Sequence, residues 1–233
     1  MSAHDQISFT SQSECEKWTP NKFKADKCQQ CSHFFSDHSP ASVTEDEIIV
    51  YLNYLNAKNP CNEILPTVND CGALYLGSYQ ALMLDNLTKY QITKAVQTAK
   101  NLEYFFVGWG RNLKEIEDGG KLEVLRLHWV DGEQQKIWKE TPWDQLEEAI
   151  RFIHSHRKNK QNVVVNCAQG KSRSSTVVIA YIMVVNNMNF QEALAYVRSK
   201  RSIADPNSFF VQQLKEFETS TKIQELRNEL NGQ

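Results

Sequence analysis

The chain has 233 residues and a formal net charge of −2, with 41% hydrophobic and 23% charged residues. This balance indicates one mid-sized globular domain with an appendage, and it excludes whole-molecule attraction to nucleic acid or to an anionic membrane. The longest apolar run, Val177 to Val185, is too short to be inserted across a membrane, and the first twenty residues contain no secretory signal. We therefore expect a cytoplasmic protein, with the nucleus as an alternative compartment, whose six cysteines need not form disulfides.

The composition of the chain changes along its length and predicts four parts. They are a Cys/His-rich segment at 1–43, a helix and linker at 44–69, a domain of alternating strands and helices at 70–220, and a carboxyl-terminal tail at 221–233. In the second part, apolar residues at helical spacing predict a helix over Glu45–Ala57 with Thr44 as its N-cap. A loop with two prolines is predicted from Asn59 to Asp70.

The amino-terminal segment contains the residue types that bind zinc. Cys28 and Cys31 form a Cys-x2-Cys pair, followed by His33 and His38 and preceded by Cys15. We predict a tetrahedral zinc site with Cys28, Cys31 and His38 as ligands and with Cys15 or, alternatively, His33 as the fourth. A segment poor in aliphatic residues can gain its fold from a metal, and such a unit would serve a protein partner or substrate recruitment. The alternative is an unstructured arm with incidental Cys and His residues.

From residue 70 onward, predicted strands alternate with predicted helices. The strands lie at Ala73–Leu76, Tyr104–Val107, Leu122–Trp129 and Asn162–Asn166. The helices lie at Asn86–Asn101, Thr141–Arg157, Arg173–Val185, Asn189–Ser199 and Asn207–Ser220, and Lys222–Glu229 extends the last of them. This alternation predicts an α/β fold with a central, mainly parallel sheet flanked by helices.

The most informative stretch is Cys167-Ala168-Gln169-Gly170-Lys171-Ser172-Arg173, between a buried strand pattern and an apolar helix pattern. A turn there directs successive backbone N–H groups, and the positive end of the helix dipole, toward one point that suits an oxyanion. The same environment lowers the pKa of a thiol. Because Arg173 can clamp two phosphate oxygens, the pattern predicts that Cys167 attacks a phosphate ester and forms a phosphocysteine. The loop and Arg173 supply the charge stabilisation, so no cofactor is required.

Two other interpretations of this stretch are less favoured by the sequence. Gly170-Lys171-Ser172 could end a nucleotide-binding loop, but that motif requires glycine where this chain has Val165. Cys167 could also be an ordinary buried cysteine, although the strand, loop and helix around it favour a nucleophile.

The stretch from about Cys71 to Phe217 resembles the dual-specificity phosphatases, within the cysteine-based protein tyrosine phosphatase superfamily. Besides the Cys167–Arg173 loop, the resemblance lies in Ala73–Ser78, Leu87–Ile92, Arg201–Phe210, Gln213-Leu214 and Phe217-Glu218. It implies a phosphatase-type fold for residues 70–220. It also implies a phosphorylated protein substrate, with hydrolysis of phosphotyrosine and of phosphoserine or phosphothreonine.

The resemblance extends to three further site residues. Ser174 stands where the family has a hydroxyl that assists departure of the thiolate, although it could be a simple helix N-terminal hydroxyl. Asp131 stands where the family has its general acid, but it lies farther from Cys167 than usual, so Glu133 is a rival. Asn166 replaces the histidine that usually precedes the nucleophile, and its amide can supply loop support by donating and accepting hydrogen bonds.

Two alternative functions remain open from the sequence. A phosphoinositide or other non-protein phosphatase tends to have more basic residues in the loop, whereas this loop has only Lys171 beside Arg173. A catalytically weak phospho-binding scaffold is conceivable because Asn166 departs from the family pattern, but the presence of both Cys167 and Arg173 argues against it.

Overall fold

The computed structural model describes residues 13, 15, 18–19, 28–31, 33, 35, 38–39, 43–44, 46–47, 50–51, 59–68, 71–105, 107–138 and 144–232. The chain divides into two units, Met1–Asn59 and Pro60–Gln233. The first unit contains part of the predicted Glu45–Ala57 helix, since its described residues 46–47 and 50–51 are helical. Thr44 caps it as predicted, because its Oγ1 accepts a hydrogen bond from the Glu47 N–H at 3.3 Å. The rest of that predicted helix lies outside the described residues.

The second unit is built on a five-stranded sheet with the order β1-β2-β5-β3-β4. The strands are β1 (Cys61–Leu65), β2 (Leu74–Gly77), β3 (Ile92–Ala99), β4 (Glu123–Trp129) and β5 (Asn162–Asn166). β1 pairs with β2 in antiparallel orientation, whereas the other pairs are parallel. The α/β fold with a mainly parallel sheet is therefore confirmed, and β5 lies at its centre.

Helices cover both faces of this sheet. They are α1 (Leu84–Lys89), α2 (Leu102–Phe105), α3 (Val107–Asp118), α4 (Gln145–Lys158), α5 (Arg173–Val185), α6 (Phe190–Lys200), α7 (Ser208–Glu218) and α8 (Thr221–Asn231), with a short 3-10 helix at Tyr79–Leu82. Buried residues of α4 to α8 form one core with alternate strand residues, and those of α1 to α3 form a second core on the opposite face. Because α5 is buried along most of its length, its amino terminus is held firmly against the central strand.

Two predicted elements between residues 84 and 118 are wrong. The predicted helix Asn86–Asn101 is a short helix, α1, followed by strand β3, and the chain turns between them at Gln91 with a φ of 52°. The predicted strand Tyr104–Val107 is helical in its described residues, at the end of α2 and the start of α3. Trp109, Leu113 and Ile116 form the buried stripe of α3 at helical spacing.

Three further boundaries differ from the sequence prediction. The predicted loop Asn59–Asp70 contains strand β1. Helix α4 begins at Gln145 rather than at Thr141, because the Asp144 side chain caps it by accepting from the Glu147 N–H at 3.0 Å. Residues 141–143 lie outside the described residues. The predicted extension of the last helix is a separate helix, α8, capped by Ser220 and packed into the core.

Candidate active site

The candidate active site lies where the central strand ends and α5 begins. β5 ends at Asn166 and α5 begins at Arg173, as the sequence predicts, so Cys167–Arg173 connects them; we call this connection the phosphate loop. The carboxyl ends of the parallel strands meet at this edge of the sheet, where open α/β sheets bind their ligands. The loop is therefore placed at the amino terminus of a long, buried helix.

The Cys167 thiol is buried at the base of this loop, with 2% of the residue exposed. Its Sγ accepts hydrogen bonds from the Gly170 N–H at 3.1 Å and from the Ser174 hydroxyl at 3.2 Å. Burial raises the pKa of Cys167, but the Ser174 hydroxyl and N–H, the Arg173 charge and the Lys171 N–H together hold it below its usual value. These contacts favour the thiolate, which is the nucleophilic form of cysteine.

A second arginine, which is buried, holds the backbone of the phosphate loop. Arg201, 2% exposed, donates to the carbonyl oxygens of Gly170 at 2.8 Å and Gln169 at 3.0 Å, and to Asn62 Oδ1 at 2.6 Å. Burial lowers the pKa of Arg201 to about 10, although the Cys167 and Cys61 thiols raise it. With these carbonyls turned toward Arg201, loop N–H groups face Cys167.

Gly170 is required by this close packing. Its φ is +71°, and a side chain there would place Cβ 2.5 Å from the Gly77 backbone and 2.6 Å from Arg201. The loop can therefore approach β2 and Arg201 only with glycine at this position.

Arg173 lies on the open side of the loop. Its Nη1 donates to the Trp129 carbonyl at 3.3 Å, and its Nε lies 3.5 Å from Asp131 Oδ2. The Nε is buried and has no hydrogen-bond partner within the described part of the chain. Donor capacity on the guanidinium therefore remains for a bound oxyanion.

The structure brings Asp131 to the phosphate loop. Asp131 Oδ1 accepts from the Ser172 hydroxyl at 2.7 Å and from Asn207 Nδ2 at 2.6 Å. Ser172 Oγ also accepts from the Asn207 N–H at 3.2 Å. Asp131 is thus tied both to the loop and to the first turn of α7. Glu133, its rival, instead lines a separate pocket with Lys136 and Trp138.

The remaining loop residues have mainly structural contacts. The Lys171 Nζ lies 3.5 Å from Asp205 Oδ2, and its carbonyl accepts from the Asp205 N–H at 2.8 Å. The Ala168 carbonyl accepts from the Tyr79 N–H at 3.5 Å. These bonds fix the loop against its neighbours at both ends.

Asn166 supports the loop through its backbone rather than its side chain. Its carbonyl accepts from the Thr98 hydroxyl at 2.9 Å. Its side chain is fully buried, and neither the amide oxygen nor the amide nitrogen has a hydrogen-bond partner in the described residues. The amide therefore does not provide the hydrogen bonds that the sequence predicts for it.

Two site residues had no role assigned from the sequence, Arg201 and Asn207. Both lie in the segment Arg201–Phe210 that carries part of the family resemblance. An asparagine at a helix start predicts only an N-cap, and Asn207 does cap α7, since its Oδ1 accepts from the Phe210 N–H at 2.9 Å. Its second contact, to Asp131, depends on tertiary structure and has no local sequence signal.

In the amino-terminal unit, four predicted ligands lie together. One ligand atom from each of Cys15, Cys28, Cys31 and His38 lies within 4.8 Å of the others, and we call these residues the amino-terminal cluster. Burial raises the pKa of Cys28, but N–H groups of Cys31, Thr19 and Gln30, and the His38 ring, lower it to about 6. The side chain of His33, the alternative ligand, is exposed and is not part of the cluster. Three thiols and an imidazole suit zinc.

Comparison with known proteins decides the family. Residues 74–220, more than half of the chain, match the family described as dual specificity phosphatase, catalytic domain. The chain belongs to the dual specificity phosphatase family. The family predicted from the sequence is therefore confirmed.

Curated dual specificity phosphatases resemble the chain over different lengths. Dual specificity protein phosphatase 22 of Homo sapiens is 32% identical over 161 residues, which covers 69% of this chain and 74% of the relative. Dual specificity protein phosphatase 15 of Rattus norvegicus is 48% identical over 85 residues, or 36% of each chain. The chain thus spans about a third of the length of the rat protein.

Solved structures share the fold of the catalytic unit. The crystal structure of DUSP15 has a TM-score of 0.57 and 29% identity, covering 74% of this chain and 96% of that one. The human tyrosine phosphatase-like serine/threonine/tyrosine-interacting protein has a TM-score of 0.56 and 30% identity, covering 68% of this chain and 95% of that one.

Among the described residues, no helix is both long and apolar enough to cross a membrane.

Proposed function

We propose that this dual specificity phosphatase hydrolyses phosphotyrosine and phosphoserine or phosphothreonine in proteins, through a phosphocysteine at Cys167. One arrangement carries the proposal. The Cys167 Sγ accepts from Ser174 and Gly170, and Asp131 is tied to the same loop by Ser172. The proposed nucleophile, in the phosphate loop, and the proposed proton donor, which is hydrogen-bonded to that loop, thus face one phosphate site.

In the first step, the Cys167 thiolate attacks the phosphorus atom of the bound ester. An S–P bond forms while the bond between phosphorus and the substrate oxygen breaks. Loop N–H groups from Ala168 to Arg173 and the Arg173 guanidinium stabilise the charge on the equatorial oxygens. Asp131, in its protonated form, donates a proton to the departing oxygen, because an unprotonated alkoxide is a poor leaving group.

In the second step, water hydrolyses the phosphocysteine. The Asp131 carboxylate accepts a proton from the attacking water, a P–O bond forms, and the S–P bond breaks. The Ser174 hydroxyl, 3.2 Å from Cys167 Sγ, donates a hydrogen bond to the thiolate as it leaves. Inorganic phosphate is released and the starting thiolate is restored.

Turnover of an aryl phosphate and of phosphopeptides tests this proposal. The wild type should release phosphate from both, whereas Cys167→Ser should be inactive yet folded, because serine lacks a low-pKa thiolate at nearly the same volume. Arg173→Lys should also lose most activity, since lysine cannot present a bidentate fork. Normal turnover in either variant would refute the mechanism.

Adding a phosphoinositide as a substrate, and measuring phosphopeptide binding beside turnover, separates the two alternatives. A phosphoinositide or other non-protein phosphatase would turn over the aryl phosphate and a phosphoinositide but not the phosphopeptides. A phospho-binding scaffold would bind phosphopeptides without turnover, and two observations keep this candidate in view. They are the unpaired amide of Asn166 and the similarity to a human protein described as phosphatase-like.

We also propose that the amino-terminal cluster binds one structural zinc ion that takes no part in the reaction. Its four ligands, Cys15, Cys28, Cys31 and His38, are distinct from the residues of the phosphate loop. We further propose that this unit, once folded, binds a protein partner or recruits the substrate. Elemental analysis of protein purified without chelators tests for the ion.

A further inference from the structure

We infer that zinc bound by the amino-terminal cluster is the element that folds the amino-terminal unit, and that this zinc-dependent fold extends through the helix containing Tyr51. The inference rests on the zinc site proposed above and goes beyond it, because it states which residues depend on the ion for their fold, up to the helix containing Tyr51.

Two distances within the cluster are close to those between ligands of a tetrahedral zinc ion. The Cys15 and Cys28 sulfurs are 3.9 Å apart, and Cys31 Sγ lies 3.4 Å from His38 Nε2. Zinc bonds of about 2.3 Å to sulfur and 2.0 Å to nitrogen place tetrahedral ligands roughly 3.5–3.8 Å apart. A disulfide would require sulfurs about 2.05 Å apart. The arrangement therefore fits a shared metal rather than a Cys15–Cys28 bridge.

The chain fold around Cys28 presents its sulfur to a metal. Gln29, Gln30 and Cys31 form a turn, after which the His33 carbonyl accepts from the Cys28 N–H at 2.9 Å. The chain thus folds back on itself, and the sulfurs of Cys28 and Cys31 lie close enough to bind the same metal ion. His33 contributes its backbone to this turn while its side chain is exposed.

Aromatic rings connect the cluster to the rest of the unit. The Trp18 ring lies edge-on to the His38 ring at 5.0 Å and to the Phe35 ring at 4.8 Å. Phe35 in turn stacks on Tyr51 at 4.3 Å. Tyr51 belongs to the helix that Thr44 caps, so the contacts run from a metal ligand to that helix without a break.

The described part of the amino-terminal unit has few buried apolar residues. Within the described part of residues 1–59, the buried hydrophobic residues are Trp18, Cys28, Phe35 and Val43. One of these four is itself a ligand, and two others contact each other beside the ligand His38. The sequence of residues 1–43 also contains few aliphatic residues, and in small units of this kind a structural metal commonly supplies the missing free energy of folding.

The experiment uses the full chain, purified without chelators, and two matched pairs of variants. Cys28→Ser and His38→Gln each remove a ligand. Cys71→Ser and His33→Gln change the same residue types outside the cluster. We expect one zinc per chain in the wild type and in the second pair, and its loss in the first pair. X-ray absorption should show three sulfur ligands and one nitrogen ligand at the distances given above.

Hydrogen–deuterium exchange of the wild type, with zinc and after its removal, then tests the folding role. We expect removal to abolish protection in residues 15–51 and to leave protection in residues 60–232 and aryl phosphate turnover unchanged. Absence of stoichiometric zinc, a Cys15–Cys28 disulfide, or zinc loss in His33→Gln would overturn the ligand assignment. If zinc is present but its removal leaves the hydrogen-exchange protection unchanged, the folding role is overturned while the proposed zinc site stands. Lack of turnover in zinc-loaded wild type would instead refute the proposed phosphatase activity alone.

Discussion

At Cys167, opposing effects determine the state of the thiol. Burial raises its pKa, while hydrogen bonds from Ser174 and the charge of Arg173 lower it by more. The sequence predicts a low-pKa cysteine at a helix start, because N–H groups and an arginine are implied by the local pattern. The sequence does not show which donor lowers the pKa most, because the 3.2 Å contact between the Ser174 hydroxyl and the sulfur depends on the folded structure.

Replacing Ser174 by alanine should therefore raise the pKa of Cys167. The thiolate loses a donor that stabilises only the charged form, so the proportion of thiolate at neutral pH falls. Alkylation of Cys167 by iodoacetamide, measured against pH, should show its midpoint at higher pH than in the wild type. Thr176→Ala is the control, because its hydroxyl donates to the Ser172 carbonyl and not to the sulfur. An unchanged midpoint in Ser174→Ala would contradict this account.

Replacing Asp131 by asparagine should lower kcat by about 10²–10⁴ for a substrate with a poor leaving group. The loss should shrink for an activated aryl phosphate, whose leaving group needs no proton, and vanadate binding should be unchanged. Glu133→Gln is the matched control and should keep full activity. If Glu133→Gln loses activity while Asp131→Asn retains it, the general acid is Glu133.

Among the helices and strands, the sequence predicts best those whose ends carry strong local signals. β5 and α5 were predicted with the observed bounds, since a β-branched run and an apolar helix pattern flank the loop. β3 was predicted as helix because no glycine or proline marks the turn at Gln91, which adopts a left-handed conformation instead. β1 was missed because it is a short edge strand between prolines, and its pairing with β2 is decided by tertiary structure.

Helix α7 holds Asp131, the proposed general acid, as well as packing against the core. Asn207 caps this helix through Oδ1 and donates to Asp131 through Nδ2. Serine is as good an N-cap as asparagine but has no amide to reach Asp131. Asn207→Ser should therefore lower kcat for a poor leaving group about two- to tenfold, the worth of a typical net hydrogen bond, with KM and the melting temperature unchanged. A change in KM alone, or no dependence on the leaving group, would assign Asn207 a purely structural role.

Helix α8 should contribute strongly to the stability of the catalytic unit. Its Ile223 and Leu226 are fully buried and Leu230 is 6% exposed, and all three belong to the core beneath α5. Leu226→Ala should lower the free energy of unfolding by about 2–5 kcal/mol, measured by urea denaturation. Gln224→Ala, on the exposed side of the same helix, should change it by less than about 0.5 kcal/mol. Equal, small effects would indicate that α8 is the tail predicted from the sequence.

The chain divides into two units whose described residues differ in kind. The unit from Pro60 to Gln233 has a sheet with a hydrophobic core on each face. The unit from Met1 to Asn59 has a Cys/His cluster beside three aromatic rings. From composition, the sequence predicts four parts, with boundaries after residues 43, 69 and 220. It does not show that β1 pairs with β2 and so joins the sheet. We propose Pro60 as the start of the catalytic unit.

The central claim is that Cys167 carries the phosphoryl group during turnover, and trapping that intermediate tests it most directly. The enzyme is mixed with an aryl phosphate, quenched in acid and digested, and the peptide containing Cys167 is analysed by mass spectrometry. We predict one phosphoryl group on Cys167, more of it in Ser174→Ala because departure of the thiolate is slowed, and none in Cys167→Ser. Steady turnover with no phosphoryl group on Cys167, or with the group on another residue, would contradict the account.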